Sequence, residues 1–143
     1  MLAGKIILGI LLLGAAGTDL KSRRIPNFLI LGGLGCFAVL AAVLFFEGEA
    51  ALLPGCLGAG MLAFFIHFIP YRFRCLGAGD VKLAALIGFF LGWKHWLDFL
   101  GMYCGVLLVA SVVLLLLGKK RPRALPLAPF MAAAYFLWQG FVI

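Results

Sequence analysis

Two residues of this chain have the type and the setting to do chemistry: Asp19 and Asp80. Asp19 closes an apolar run and begins Asp19-Leu-Lys-Ser-Arg-Arg-Ile25-Pro26-Asn27. Asp80 ends Gly77-Ala78-Gly79-Asp80 and continues Val81-Lys82-Leu83, where another apolar run opens. Two carboxyls near one water cannot both ionise cheaply, so such a pair shares a proton. The ionised member takes a proton from the water as it attacks a carbonyl, and the protonated member polarises the carbonyl oxygen. That chemistry calls for no metal and no cofactor. Position suggests a division of labour. Asp19 stands at a helix C-terminus, where the dipole disfavours an anion, and Asp80 at a helix N-terminus, where free N–H groups favour one. This predicts Asp80 as the base and Asp19 as the acid, an order that Lys21, Arg23 or Lys82 close by would reverse.

The elements that must position these carboxylates are membrane spans. The chain has 143 residues, 66% hydrophobic and 12% charged, whereas soluble domains run nearer half apolar and a quarter charged. A soluble fold could not hide so much apolar surface, so lipid is its solvent. The net charge of +7 would suggest nucleic acid for a soluble protein; in a membrane protein the position of the charges matters more, and no nucleic-acid partner is expected. A spanning helix needs about 20 mostly apolar residues. Six candidates fit: Leu2–Thr18, Phe28–Phe46, Ala50–Tyr71, Asp80–Trp96, Phe99–Leu117 and Ala124–Ile143. Strand-like alternation is absent and the backbone must satisfy itself in lipid, so the expected fold is all-α, a six-helix membrane bundle with short loops. One membrane-embedded domain, 1–143, leaves no room for a soluble one. Lys5 before an apolar run superficially resembles a signal peptide, but no A-x-A-like cleavage site leads into a soluble domain, and the segment is read as a retained first span. Glycine, 19 residues in all, permits close helix packing.

Basic residues set the orientation. Lys21, Arg23 and Arg24 follow the first span, Arg72 and Arg74 the third, and Lys119, Lys120, Arg121 and Arg123 the fifth. The opposite side has Lys5 and Lys94 and an acidic Glu47/Glu49 loop. The positive-inside rule puts the first, third and fifth loops in the cytoplasm and both termini outside. Asp19 and Asp80 then share the cytoplasmic boundary, in a cavity open to water.

Other residues read more plainly. Glu47, Glu49 and Asp98 fall in exterior connections, where water solvates them. Cys36, Cys56, Cys75 and Cys104 are scattered, with no CxxC pair and no metal spacing. His67 lies late in the third span with no Ser/His/Asp arrangement, and suits helix packing or a boundary hydrogen bond. His95, Trp93 and Trp96 mark the exterior interface. Lys82, two residues past Asp80, projects to another helical face, towards lipid phosphate or into the ordering of the site. Arg23 and Arg24 are topology determinants first and substrate contacts second. Pro26 suits the first turn of the second helix, and Gly77 and Gly79 allow an irregular helix start.

Taken together, these motifs resemble the type IV prepilin peptidases, in particular the short forms associated with Tad-type pili, and are similar to the archaeal preflagellin peptidases. The resemblance rests on the first Asp followed by a basic stretch and Ile25-Pro26-Asn27, on Gly77-x-Gly79-Asp80-x-Lys82-Leu83, and on Pro126-Leu-Ala-Pro129-Phe130, like the proline-rich opening of the family's last helix. It implies that Asp19 and Asp80 are the catalytic pair of an intramembrane aspartyl endopeptidase of a prokaryotic inner membrane. The implied partner is a prepilin or pseudopilin, whose short basic leader is removed at the cytoplasmic boundary just before its apolar helix. Bifunctional members carry a large CxxC-bearing cytoplasmic loop before the first catalytic Asp, linked to N-methylation. Here Asp19 follows the first span directly, so cleavage without methyl transfer is expected. The competing reading is a non-enzymatic scaffold or small transporter subunit using its aspartates for protons or helix pairing. A transporter predicts polar residues at mid-membrane in several spans, and this sequence gathers its acidic motifs at one boundary.

Overall fold

A computed structural model describes residues 2–74, 76–116 and 127–142. The basic cluster Lys119, Lys120, Arg121 and Arg123, together with Cys75, Pro126 and the expected opening of the last span at Ala124, lies outside the described residues. The architecture is helical: α1 (Leu2–Ser22), α2 (Asn27–Phe46), a 3-10 turn (Ala50–Leu52), α3 (Leu53–Arg72), α4 (Ala78–Leu116) and α5 (Ala128–Val142). Among the described residues no strand occurs. Four helices, α1 to α4, are long and apolar enough to cross a membrane. Helix α5, with 15 residues, reaches about 22 Å at the usual rise.

Among the described residues five α-helices follow one another, where six spans were expected. The fourth and fifth expected spans, Asp80–Trp96 and Phe99–Leu117, are one element, α4, broken inside the first of them. The break is at Gly92, with φ 67° and ψ 175°, a backbone conformation that glycine adopts without a Cβ penalty. Leu97 and Asp98, expected to form the connection, are helical because neither they nor their neighbours include a glycine or proline to stop the helix. Asp98 is thus a helix residue, still exposed.

Packing shows that α4 folds back at this break. Cys56 of α3 lies against Gly92, and Ala59 and Gly60 lie against Gly88, so the first arm of α4 (78–91) runs antiparallel to α3. Farther along α3, the ring of His67 is 6.2 Å from that of Tyr103, so the second arm (93–116) runs parallel to α3. In a straight helix Asp80 and Tyr103 would be about 34 Å apart; with the chain folded back at Gly92 they come to a common level. A Cβ at Gly88 would come within 2.6 Å of the Ala59 carbonyl oxygen, which is why α3 and the first arm approach so closely.

Helix α1 runs antiparallel to α5: the Tyr135 hydroxyl donates to the Lys5 carbonyl (2.7 Å) near one end, and the Ala128 N–H donates to Asp19 (3.3 Å) at the other. The chain turns from α2 into α3 at Gly48, φ 82°, where the N–H groups of Gly48 and Glu49 close back on the carbonyls of Phe45 and Leu44, the glycine-terminated helix end known as a Schellman motif. The core holds Leu8, Leu12, Leu83, Leu86, Ile87 and Met131, all essentially inaccessible. Trp96, expected at the exterior interface, belongs to this core at 1% exposure, while Trp93 is half exposed. Ile10, Leu31, Phe65 and Leu115 project outward, as lipid-facing side chains do when tails replace water around the bundle.

Candidate active site

Helix α1 continues one turn past its apolar run, from Thr18 to Ser22, so Asp19 sits in the last turn instead of after the helix. It is 6% exposed. A buried carboxylate needs a donor, and this one comes from 109 residues away: the Ala128 N–H in the first turn of α5. The free N–H groups of a helix start suit an anion. Pro129, next in that turn, removes an N–H that would have had no helical acceptor.

Asp80 lies in the first turn of α4 and is partly buried. Its Oδ2 accepts the N–H of Gly77 at 3.2 Å, capping the start of its own helix. A Cβ on Gly77 would stand 3.0 Å from that oxygen. A Cβ on Gly79 would come within 2.9 Å of the Ile25 Cβ. The two glycines thus have separate jobs: Gly77 lets the carboxylate fold back onto the backbone, and Gly79 lets the chain after α1 lie against α4.

The two sequence motifs meet here. Besides the Ile25–Gly79 contact, Lys82 Nζ donates to Asn27 Oδ1 at 3.1 Å. Pro26, with extended backbone (φ −69°, ψ 138°), precedes α2 and turns the chain so that Ile25 and Asn27 both reach α4. Asp19 and Asp80 are thereby held at one end of the bundle, close enough for their carboxylates to interact electrostatically. Arg23 and Arg24 are exposed in the turn after α1, Arg23 with φ 52°. Among the described residues no group of three His, Cys, Asp or Glu side chains gathers.

The helix-end asymmetry read from the sequence does not survive in this form. Asp19 is at the C-terminus of α1, but it also faces the N-terminus of α5, so each carboxylate has a first-turn N–H. His67, as expected, makes a helical hydrogen bond, Nδ1 to the Ala63 carbonyl at 2.8 Å. Tyr103, 5% exposed, stands near Asp80 and was not singled out by the sequence; nor was the Ala128 N–H. A cavity of about 480 Å³ opens between α2, α3 and the first arm of α4, with Leu31, Leu34, Phe64 and Phe89 on its walls and the Lys82–Asn27 pair at its edge. Neither aspartate lines it.

A helical bundle with four potential spans, and two carboxylates at one end held by the meeting of two motifs, defines a class of membrane protein. The sequence profile of the type IV leader peptidase family matches residues 6–119, and the chain belongs to that family. It is similar to a prepilin leader peptidase/N-methyltransferase of Bacillus subtilis (strain 168), 35% identical over 131 residues covering 89% of this chain and 51% of the relative. It is also similar to one of Legionella pneumophila, 28% identical over 125 residues covering 79% of this chain and 41% of the relative. The chain spans about half the length of the curated relatives it matches. No solved structure matches it.

Proposed function

We propose that this protein is an intramembrane aspartyl endopeptidase that removes the basic leader of a prepilin-like substrate, with Asp19 and Asp80 activating the water. The observation that carries the reading is the pairing of two carboxylates from separate helices at one end of an apolar bundle. Both ionised, the pair would repel, so one proton shared between them gives the acid and the base that amide hydrolysis requires. The ionised carboxylate removes a proton from water, the water oxygen bonds to the scissile carbonyl carbon, and the protonated carboxyl donates to the carbonyl oxygen. Collapse of the tetrahedral species returns a proton to the leaving amine.

The basic loop after α1 favours an orientation with this end at the cytoplasmic face of a prokaryotic inner membrane and both termini outside. Substrate then meets the pair where its basic leader gives way to its apolar helix, and Arg23 and Arg24 flank that boundary. A Tad-type prepilin fits the short form of the motifs. The scattered cysteines, without CxxC, favour cleavage with no methyl transfer. Gly77, Gly79, Pro26, Asn27 and Lys82 hold the geometry and take no part in bond making.

The test is leader cleavage by the full chain, purified in detergent and then returned to lipid, on a prepilin peptide containing leader and apolar helix. Cleavage at the leader boundary is expected from the wild type, with no methyl group acquired from S-adenosylmethionine. A wild type that inserts and folds but leaves the peptide intact would favour the scaffold reading.

A further inference from the structure

We infer that Tyr103 is a positioning residue for Asp80, its phenol set on the wall of the second arm of α4 at the level of the carboxylate; the inference rests on the peptidase reading above. Register is the first support. Gly92 and Cys56 are in contact and fix a common level for α3 and both arms. His67 stands 11 residues beyond Cys56, and Tyr103 stands 11 beyond Gly92. Asp80 stands 12 before Gly92. At the usual helical rise all three lie about 17 Å below the break. The reversal at Gly92 therefore brings a carboxylate, a phenol and an imidazole together from two arms and a third helix.

The side chains agree with that register. The Tyr103 ring stacks on Phe99, centroids 6.0 Å apart and planes 5° from parallel, and is flanked by His67 at 6.2 Å. It is 5% exposed. The ring is thus fixed in two directions, at the level of Asp80 on the facing arm. His67 is committed elsewhere: its Nδ1 bonds the Ala63 carbonyl, an atom that can only accept, so Nδ1 carries the hydrogen.

A phenol is suited to this place. Its O–H donates to a carboxylate without adding a second charge to a lipid-surrounded bundle. Asp80 already uses one oxygen on the Gly77 N–H, and that bond ties the carboxylate only to its own helix. A second donor reaching over from the opposite arm would fix which way the remaining oxygen faces, and fixed orientation is what a shared-proton pair needs.

Tyr103→Phe is the variant that tests this, because it keeps the ring that packs on Phe99 and His67 and deletes only the hydroxyl. Titratable groups at or beside this level are Asp19 of α1, His67 of α3 and Asp80, Lys82 and Cys104 of α4, and the variant leaves all of them in place. In the leader-cleavage assay kcat is expected to fall about ten-fold or more with KM unchanged, and the pH–rate profile to be displaced along the pH axis. Phe99→Leu serves as the packing control: it removes the stacked ring and should lower thermal stability with the pH profile in place. Wild-type kcat and pH profile in Tyr103→Phe would overturn the inference while leaving the peptidase reading intact. A displaced pH profile in Phe99→Leu as large as that of Tyr103→Phe would also overturn it, by assigning the effect to packing. Absence of cleavage by the wild type sinks the peptidase reading itself.

Discussion

The two carboxylates are held in opposite ways. Asp80 takes its N–H from Gly77, three residues back in the same turn, so its cap forms whenever α4 begins. Asp19 takes its N–H from Ala128, so its cap exists only when α5 has docked on α1. Asp80 is also the more accessible of the two. One carboxylate is placed by local structure and the other by tertiary structure. A site so built is assembled in two stages, and its tertiary half is the easier to disturb from a distance.

The largest expected effect ignores this distinction. Asp19→Asn and Asp80→Asn each keep the shape of the side chain and remove the ionisable group, and each should reduce leader cleavage by about a thousand-fold or more, with membrane insertion and helix content unchanged. Near-normal turnover in either variant removes that residue from the reacting pair.

Next in size is Gly79→Val, which forces side-chain atoms into the space of Ile25. The chain after α1 must then lift from α4, and cleavage should fall by one to two orders of magnitude, the scale of overpacking in a close contact. Pairing it with Ile25→Ala sharpens the comparison: recovery of rate in the double variant shows that the damage lies in that contact. If Gly79→Val cleaves like the wild type, the two motifs do not depend on each other.

Ala128→Pro addresses the tertiary half alone. Proline is tolerated at the first helical position, so α5 should form while the donor to Asp19 disappears. Loss of a hydrogen bond to a buried charged group costs about 1.5–3 kcal/mol of stability, so thermal stability is expected to fall, and kcat to drop roughly ten-fold or more as Asp19 loses its orientation. An unchanged kcat would mean that Asp19 finds another donor, and the contrast between the carboxylates would lose its force. The smallest effect belongs to Lys82→Met. Its bond to exposed Asn27 is screened, and a two- to five-fold change, within about 1 kcal/mol, is expected in cleavage.

Much of this arrangement could be read from residue types. The acidic residues beside Gly77-x-Gly79 and before Ile25-Pro26-Asn27 gave the helix ends, and their apolar flanks gave the spans. The clash a Cβ would meet at Gly79 shows why the two motifs occur together. What could not be read has physical reasons. The Ala128 N–H is a backbone group and leaves no mark in side-chain identity. Gly92 is one of 19 glycines, and nothing local separates one that breaks a helix from those that permit packing. The charge of Asp98 marked a connection there, although the stretch lacks the residues that end a helix. That Trp96, just past the break, turns towards the core leaves no mark in its residue type. Tyr103 looked like any aromatic residue in an apolar run until the reversal brought it beside Asp80.

The break at Gly92 also makes the site sensitive to chain length in one place and indifferent to it in another. Between Asp80 and Gly92 the first arm is unbroken helix, anchored at one end by α3. A single residue added there would swing Asp80 through about 100° and shift it by about 1.5 Å, carrying its carboxylate away from Asp19 even though every side chain in the site were retained. An equal addition beyond Tyr103 would leave the spacing of Asp80, Gly92 and Tyr103 unchanged. Insertions and deletions should therefore be forbidden in the first arm of α4, so that spacing there is under as strict a constraint as any residue identity.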